Sequence, residues 1–170
     1  MKYVIIGGSA AGISCAEAIR SIDKTGKITV ISDEKLPLYS RCLISYYLSG
    51  EVPEKDLNFK PEDFFRKFNI KALLGVRAEK ILEKEKKVVL SNGEAIKFDK
   101  LLIATGGSSK MPGIKGVEKN GVFLMRTFDD VTAIKSSLKD VETAAVLGGG
   151  LIGMRAAYAL KRSGKNVKVI

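Results

Sequence analysis

The chain has 170 residues, 45% of them hydrophobic, and 29 basic against 19 acidic side chains leave a net charge of +10. That length suffices for one domain and the beginning of another; two cysteines make no disulfide framework and point to a reducing cytoplasm. With no histidine, a histidine base and a histidine-ligated zinc ion are excluded, and no metal site is expected.

Residues 2–6, Lys-Tyr-Val-Ile-Ile, read as a short strand that breaks into Gly7-Gly8-Ser9-Ala10-Ala11-Gly12. Small and apolar residues then recur at helical spacing to Ile22, so the order is strand, glycine turn, helix. The apolar run is cut by glycines and Glu17, unlike a secretory signal, and no run approaches the roughly 18 residues of a membrane span. A second strand over 27–31 ends in Ser32-Asp33-Glu34, about 20 residues past Gly12, where a ribose-binding acid belongs. The constellation reads as a dinucleotide site. Gly7 permits the tight turn, Gly12 lets helix and strand approach, and the backbone N–H groups of Ala10, Ala11 and Gly12 face the pyrophosphate with the positive end of the helix dipole behind them. Ser9 stands where G-x-G-x-x-G has its second glycine: either its hydroxyl donates to phosphate or the ligand sits farther out.

Pro37 sets a turn, an amphipathic helix beginning at Cys42 runs to Leu48, and Gly50 stops it. Residues 60–68 predict a second short helix with Pro61 in its first turn and Phe64, Phe65 and Phe68 on a core-facing side. A third parallel strand follows at 70–74, then a small antiparallel meander over 76–82, 87–90 and 95–98, with Asn92-Gly93 as the hairpin signal. Lys80, Lys84, Lys86 and Lys87 alternate with glutamates here and no aromatic residues interleave. That is a solvated basic face, and neither nucleic acid nor membrane is expected as a partner. Residues 100–104 form a buried strand opening into Thr105-Gly106-Gly107. A boundary near Gly121 divides the chain into 1–121 and 122–170. Thr127 and Asp130 cap a helix to about Leu138. The end repeats the beginning: a strand over 143–147, Gly148-Gly149-Gly150-Leu151-Ile152-Gly153 matching G-x-G-x-x-G, a helix through Arg162 and a new strand from 167. Gly7 maps on Gly148 and Gly12 on Gly153; two dinucleotide motifs together point to a flavin exchanging electrons with a nicotinamide cofactor.

The first motif with Asp33, Leu101-Leu102-Ile103-Ala104-Thr105-Gly106, Met125-Arg126-Thr127-Phe128-Asp129-Asp130 and the second motif, in that order, resemble the FAD-dependent pyridine nucleotide-disulfide oxidoreductases over nearly the whole chain. Pro37-Leu38-Tyr39-Ser40-Arg41 and Leu43-Ile44-Ser45 look like the branch holding NADH oxidases, coenzyme A-disulfide reductases, rubredoxin reductases and the flavin part of nitrite reductases. The resemblance implies an α/β fold: a doubly wound, Rossmann-like FAD domain with an antiparallel meander, followed by the start of a Rossmann-like NAD(P) domain. It implies FAD on the first motif and NAD(P)H on the second, at Gly148, Gly150, Leu151, Ile152 and Gly153. Asp33, with Glu34 as a nearby substitute, would hold the adenosine ribose, and Arg41 would reach the FAD phosphates or ribityl side. Val76, Arg77 and Ala78 would lie beside adenine through backbone, and Thr105-Gly106 would close over the flavin chain.

Cys42 stands where oxidase and coenzyme A-disulfide reductase members carry a redox cysteine, while Leu43-Ile44-Ser45 resembles the proline-bearing branch; a reactive thiol and a packing cysteine both stay open. Cys15 is a packing residue. Arg155 replaces the acid of many relatives and would pair with a phosphate, pair with the flavin edge, or face solvent. The acid separating NAD from NADP falls one residue past Ile170, and the family's later segments fall outside these residues. The implied protein is an NAD(P)H oxidoreductase, a homodimer when full length and inactive as this segment alone. It would pass hydride from nicotinamide to flavin and on to a thiol or disulfide, oxygen or a small redox protein. The alternative is a non-catalytic FAD- or nucleotide-binding module or electron-transfer subunit.

Overall fold

The computed structural model describes residues 1–36 and 38–170; the turn expected at Pro37 lies outside the described residues. Packing separates two compact units, Met1–Tyr39 with Asn58–Gly106, and Ser40–Leu57 with Gly107–Ile170.

In the first unit, β1 (Lys2–Ile6) leads through the glycine turn to α1 (Ala10–Ile22) and β2 (Lys27–Ser32). β3 (Ile70–Leu74), β4 (Ala78–Leu82), β5 (Lys87–Leu90), β6 (Ala95–Lys97) and β7 (Lys100–Ile103) follow. β1, β2, β3 and β7 form one parallel sheet in the order β3-β2-β1-β7, with Ile5 opposite Val30 and Leu102. β4, β5 and β6 form the antiparallel meander as a sheet of its own.

Strand alternation divides the apolar residues between two cores. On one face Ile5, Ile28, Val30 and Ile70 pack with Ile13 and Ala16 of α1 and with Phe64. On the other, Val4, Ile6 and Ile31 pack with Val88 and Leu90 of the meander. Both faces are covered, which is why β1 and β2 read as nearly continuous apolar runs. In this unit the second face is closed by the meander and not by a helix, so the expected double winding does not describe it.

Two expectations change. The helix predicted over 60–68 is one turn, Phe64–Lys67, because Pro61 stays outside as the acceptor for Phe64 N–H and Asn69 turns left-handed (φ 47°). Its Phe64 and Phe68 rings do face the core, their centroids 4.7 Å apart. β7 is not a buried strand: it pairs with β1 alone at the sheet edge, leaving Ile103 59% exposed. Arg20, which periodicity alone does not single out, is only 9% exposed. Its guanidinium donates to the carbonyls of Phe68, Asp23 and Asn69 at 2.8, 2.9 and 3.0 Å, so a buried charge ties the end of α1 to the entry of β3.

The second unit holds α2 (Ile44–Ser49), α3 (Phe128–Ser137), β8 (Thr143–Val146), α4 (Leu151–Arg162) and β9 (Asn166–Val169). β8 and β9 are parallel, joined through α4. α3 begins with the expected capping box: Asp130 N–H donates to Thr127 Oγ1 at 3.1 Å, and Thr127 N–H donates back to the Asp130 carboxylate at 2.8 Å. Gly50 closes α2 in the left-handed conformation. α2 sits with α3 and α4 in this unit: Tyr47 stacks near Phe128, centroids 5.3 Å apart, and Ser163 Oγ donates to the Leu48 carbonyl at 3.0 Å.

Candidate functional site

The parallel sheet brings the tips of β1, β2, β3 and β7 to one edge. The order runs outward from β1 through β2 to β3 and then returns to β7 on the other side of β1, so a topological switch point lies between β1 and β7. Gly7 occupies it. Its N–H donates to the Ile31 carbonyl at 2.8 Å, its φ is +125°, and a Cβ there would run into the Ala104 carbonyl and lie 3.3 Å from Thr105 N. Only glycine fits both the angle and the space. Thr105 and Gly106 (φ 66°) are exposed beside it.

Gly12 answers the same demand from the helix. A Cβ there would collide with the Gly7 carbonyl and lie 3.1 Å from Ile5 Cγ2. The outer glycines of the motif are therefore required by the chain's own packing. The middle position is different. Ser9 is the N-cap of α1 in extended backbone, and its hydroxyl makes no capping bond. The first helical bond is from Ile13 N–H to Ser9 C=O at 3.0 Å, which leaves the N–H groups of Ala10, Ala11 and Gly12 with no acceptor four residues back. An uncommitted hydroxyl and three aligned amides at a helix start suit an anion such as a pyrophosphate.

At the β2 tip Asp33 is exposed, while Glu34 accepts a hydrogen bond from the Tyr39 hydroxyl. Val76 N–H donates to the Ser32 carbonyl at 3.0 Å, which sets Val76 beside the acid pair. Arg77 uses both backbone groups on Ser91: its N–H donates to Ser91 Oγ at 3.1 Å and its carbonyl accepts Ser91 N–H at 2.9 Å. Ala78 opens β4 against Leu90.

The second unit repeats the turn closely. Gly148 has φ +106°, its N–H donates to the Ile170 carbonyl at 2.8 Å, and a Cβ on Gly153 would collide with the Gly148 carbonyl. At Gly150 and Gly149, by contrast, a Cβ would meet nothing within 4 Å. Gly150 has φ −72°, open to any residue, so nothing in the chain itself requires glycine there. Leu151 and Ile152 are exposed at the head of α4, Leu151 by 89%. Matching the Gly7–Ile31 and Gly148–Ile170 bonds equates Ile170 with Ile31. By that match a counterpart of Asp33 would fall two positions after Ile170, one farther than the sequence suggested.

Arg41 and Cys42 also belong to the second unit. Arg41 Nη1 donates to the Arg126 carbonyl at 3.0 Å, and Arg126 N–H donates to the Asp130 carboxylate at 2.9 Å. Cys42 is exposed in the turn before α2, whose N-cap is Leu43; it does not begin the helix as expected, because residues 41–43 form a turn. Arg155 has a definite partner: its guanidinium donates to the Tyr46 hydroxyl and lies over the Tyr46 ring, 4.4 Å from the centroid. None of the alternatives read for it in the sequence included this aromatic seat.

Sequence reasoning missed Tyr39 and Tyr46. The Glu34–Tyr39 contact spans five residues, and the Tyr46–Arg155 contact 109 residues, and neither spacing leaves a periodic signal. Among the described residues no cluster of metal-binding side chains occurs, and no helix is long and apolar enough to cross a membrane.

Over 178 aligned residues the chain is 35% identical to the NADH oxidase of Methanocaldococcus jannaschii, covering all of this chain and 40% of that protein. It is 33% identical over 171 residues to the rubredoxin-NAD(+) reductase of Pseudomonas putida, covering all of this chain and 44% of that protein. Among solved structures, the NAD-dependent persulfide reductase from A. fulgidus superposes with a TM-score of 0.92 at 32% identity, over 99% of this chain and 34% of that one. The chain thus spans less than half the length of these relatives. A family profile described as pyridine nucleotide-disulphide oxidoreductase matches residues 1–170, and with both glycine turns in place the chain belongs to that family.

Proposed function

We propose that this chain is the nucleotide-binding part of an FAD-dependent NAD(P)H oxidoreductase, with 1–121 contributing to the FAD-binding domain and 122–170 opening the NAD(P)-binding domain. Bound FAD would supply reversible acceptance of a hydride from a reduced nicotinamide. The chain's own contribution is to hold and orient. The amides of Ala10, Ala11 and Gly12 and the Ser9 hydroxyl would grip the FAD pyrophosphate, Asp33 its adenosine ribose, and Val76, Arg77 and Ala78 would border adenine. Thr105 and Gly106 would line the flavin chain, and Arg41 would face its phosphates or ribityl side. In the second unit the amides of Leu151, Ile152 and Gly153 would take the NAD(P)H pyrophosphate, approached over Gly148 and Gly150.

The observation that carries this reading is the contrast within each motif. Gly7, Gly12 and Gly153 leave no room for a Cβ, and Gly148, with nothing within 4 Å, is suited to glycine by its φ of +106°, whereas the middle position is open: an idle hydroxyl at Ser9 and empty space at Gly150. Reducing equivalents would leave to a thiol or disulfide, to oxygen or to a small redox protein, the last being favoured by the likeness to a rubredoxin-NAD(+) reductase. Anaerobic titration of the FAD-loaded protein with NADH and with NADPH tests the proposal. Bleaching of the flavin band by either supports it; a flavin left oxidised by both rejects it.

A further inference from the structure

The strands of the parallel sheet begin at the end opposite the glycine turn, and lysines gather there. Lys2 of β1 and Lys27 of β2 are direct partners in register, and Lys100 opens β7 opposite Tyr3. Backbone hydrogen bonds carry the row into the meander: Asp99 N–H donates to the Lys2 carbonyl at 2.8 Å and Phe98 N–H to the Lys86 carbonyl at 2.9 Å, while Lys97 is the register partner of Lys87 across β5 and β6. Like charges set directly opposite one another destabilise a sheet. The chain does not neutralise them itself. Lys2, Lys27, Lys86, Lys97 and Lys100 are exposed, and among the described residues none of them forms an ion pair. Three nearby carboxylates are engaged elsewhere: Asp99 accepts Lys2 N–H at 2.7 Å, Asp23 accepts the N–H groups of Thr25 and Gly26, and Glu85 takes Lys87 Nζ at 2.8 Å.

We propose that this end of the sheet docks an acidic segment of a partner protein. Neighbouring strands about 4.8 Å apart set the lysines at a spacing that the carboxylates of a short, extended, Asp/Glu-rich segment can match. A bilayer or a nucleic-acid backbone, anionic throughout, would also meet Asp99 and Asp23, which hydrogen bonds hold in place. A protein sequence can set a base or a neutral residue against them, so the mixed pattern selects for it. The row also consists of lysines, point charges without the planar fork that arginine offers to phosphate. Because it lies at the other end of β1 from Gly7, a docked partner leaves the glycine turn open, and the inference does not depend on the flavin reading.

Fluorescence anisotropy of a labelled polyglutamate peptide with the purified protein, at about 0.1 M salt where exposed charges act over roughly 10 Å, tests this. Lys2→Glu combined with Lys27→Glu should weaken binding at least about tenfold, whereas Lys161→Glu combined with Lys168→Glu, an equal change of net charge in the second unit, should leave it within about twofold. Lys27→Glu alone should weaken the peptide and raise the melting temperature, since it turns a repulsive pair with Lys2 into an attractive one. Loss of binding in a protein more stable than wild type is not misfolding. An equal loss in the Lys161 and Lys168 variant would mean that net charge alone attracts the peptide, and it overturns the proposal. So does wild-type protein that ignores the peptide, or that binds phosphatidylglycerol vesicles or duplex DNA more tightly through the same lysines. Reduction of bound flavin by NADH should be unchanged in the Lys2 and Lys27 variants; its loss would tie these lysines to the nucleotide site and overturn the docking role.

Discussion

Gly150 and Gly153 stand three residues apart in one turn, yet an added methyl group meets different surroundings at each. At Gly153 a Cβ would run into the Gly148 carbonyl oxygen and lie 3.0 Å from its carbon and 3.5 Å from Val146 Cγ1. Gly148 cannot retreat freely, because its N–H is bonded to Ile170 at 2.8 Å. Pushing α4 away from β8 is overpacking worth about 1–3 kcal/mol, and in a chain of this size each kcal/mol lowers the melting temperature by about 2–4 °C. At Gly150 the backbone angles suit alanine, and nothing lies within 4 Å of the new methyl. Loss of chain freedom in the unfolded state stabilises by about 0.4–1 kcal/mol, while alanine is a poorer N-cap than glycine by a similar amount. The net change in stability at Gly150→Ala should fall within about 0.5 kcal/mol. Binding should respond in the opposite order. The methyl would fill the space proposed for a pyrophosphate, and a tenfold loss of NADH affinity corresponds to about 1.4 kcal/mol. Thermal unfolding followed by circular dichroism, with NADH titration by nicotinamide fluorescence, separates the two. The reasoning fails if Gly150→Ala melts as early as Gly153→Ala, or if it binds NADH as wild type does.

Replacing Cys42 by Ser should leave NAD(P)H oxidation by a redox-protein acceptor unchanged, since the exposed thiol lies outside the helix it was expected to begin; steady-state turnover that collapses in the variant would instead place a thiol on the route. Arg155→Ala removes the contact with Tyr46 and should cost about 0.5–1 kcal/mol in denaturant unfolding. NADH affinity should stay within about twofold, and a larger loss would mean that the guanidinium reaches the nucleotide. Asp23 is held below the usual carboxylate range, chiefly by the Gly26 N–H and then by Thr25 N–H. A depressed folded-state pKa contributes stability that is present above the unfolded value and is lost as pH falls through the folded one. The difference in denaturation midpoint between wild type and Asp23→Ala should therefore be constant from about pH 5 to 8 and shrink below about pH 4. A difference unchanged at about pH 3 would contradict that assignment.

Local physics wrote much of the fold into the sequence. Apolar strands that stop at glycine, the Asn92-Gly93 hairpin and the Thr127–Asp130 cap depend on residues a few positions apart, so β1, α1, β5, β6 and α3 were legible, as were both glycine turns. What the sequence could not carry is which long-range partner each element takes. The packing of α2 with α3 and α4, the seat of Arg155 on Tyr46 and the burial of Arg20 under the carbonyls of 68 and 69 join residues tens of positions apart, with no period linking them. The meander's service as the second cover of the parallel sheet arises the same way, from side chains that meet only once the strands have stacked. The sequence by itself determined where backbone must turn and where a helix start leaves amides without intrahelical acceptors, because those are properties of glycine and of helix geometry. Tertiary structure alone decided which of two neighbouring carboxylates is tied up and which is exposed, because a buried tyrosine chooses between them by position and not by residue type.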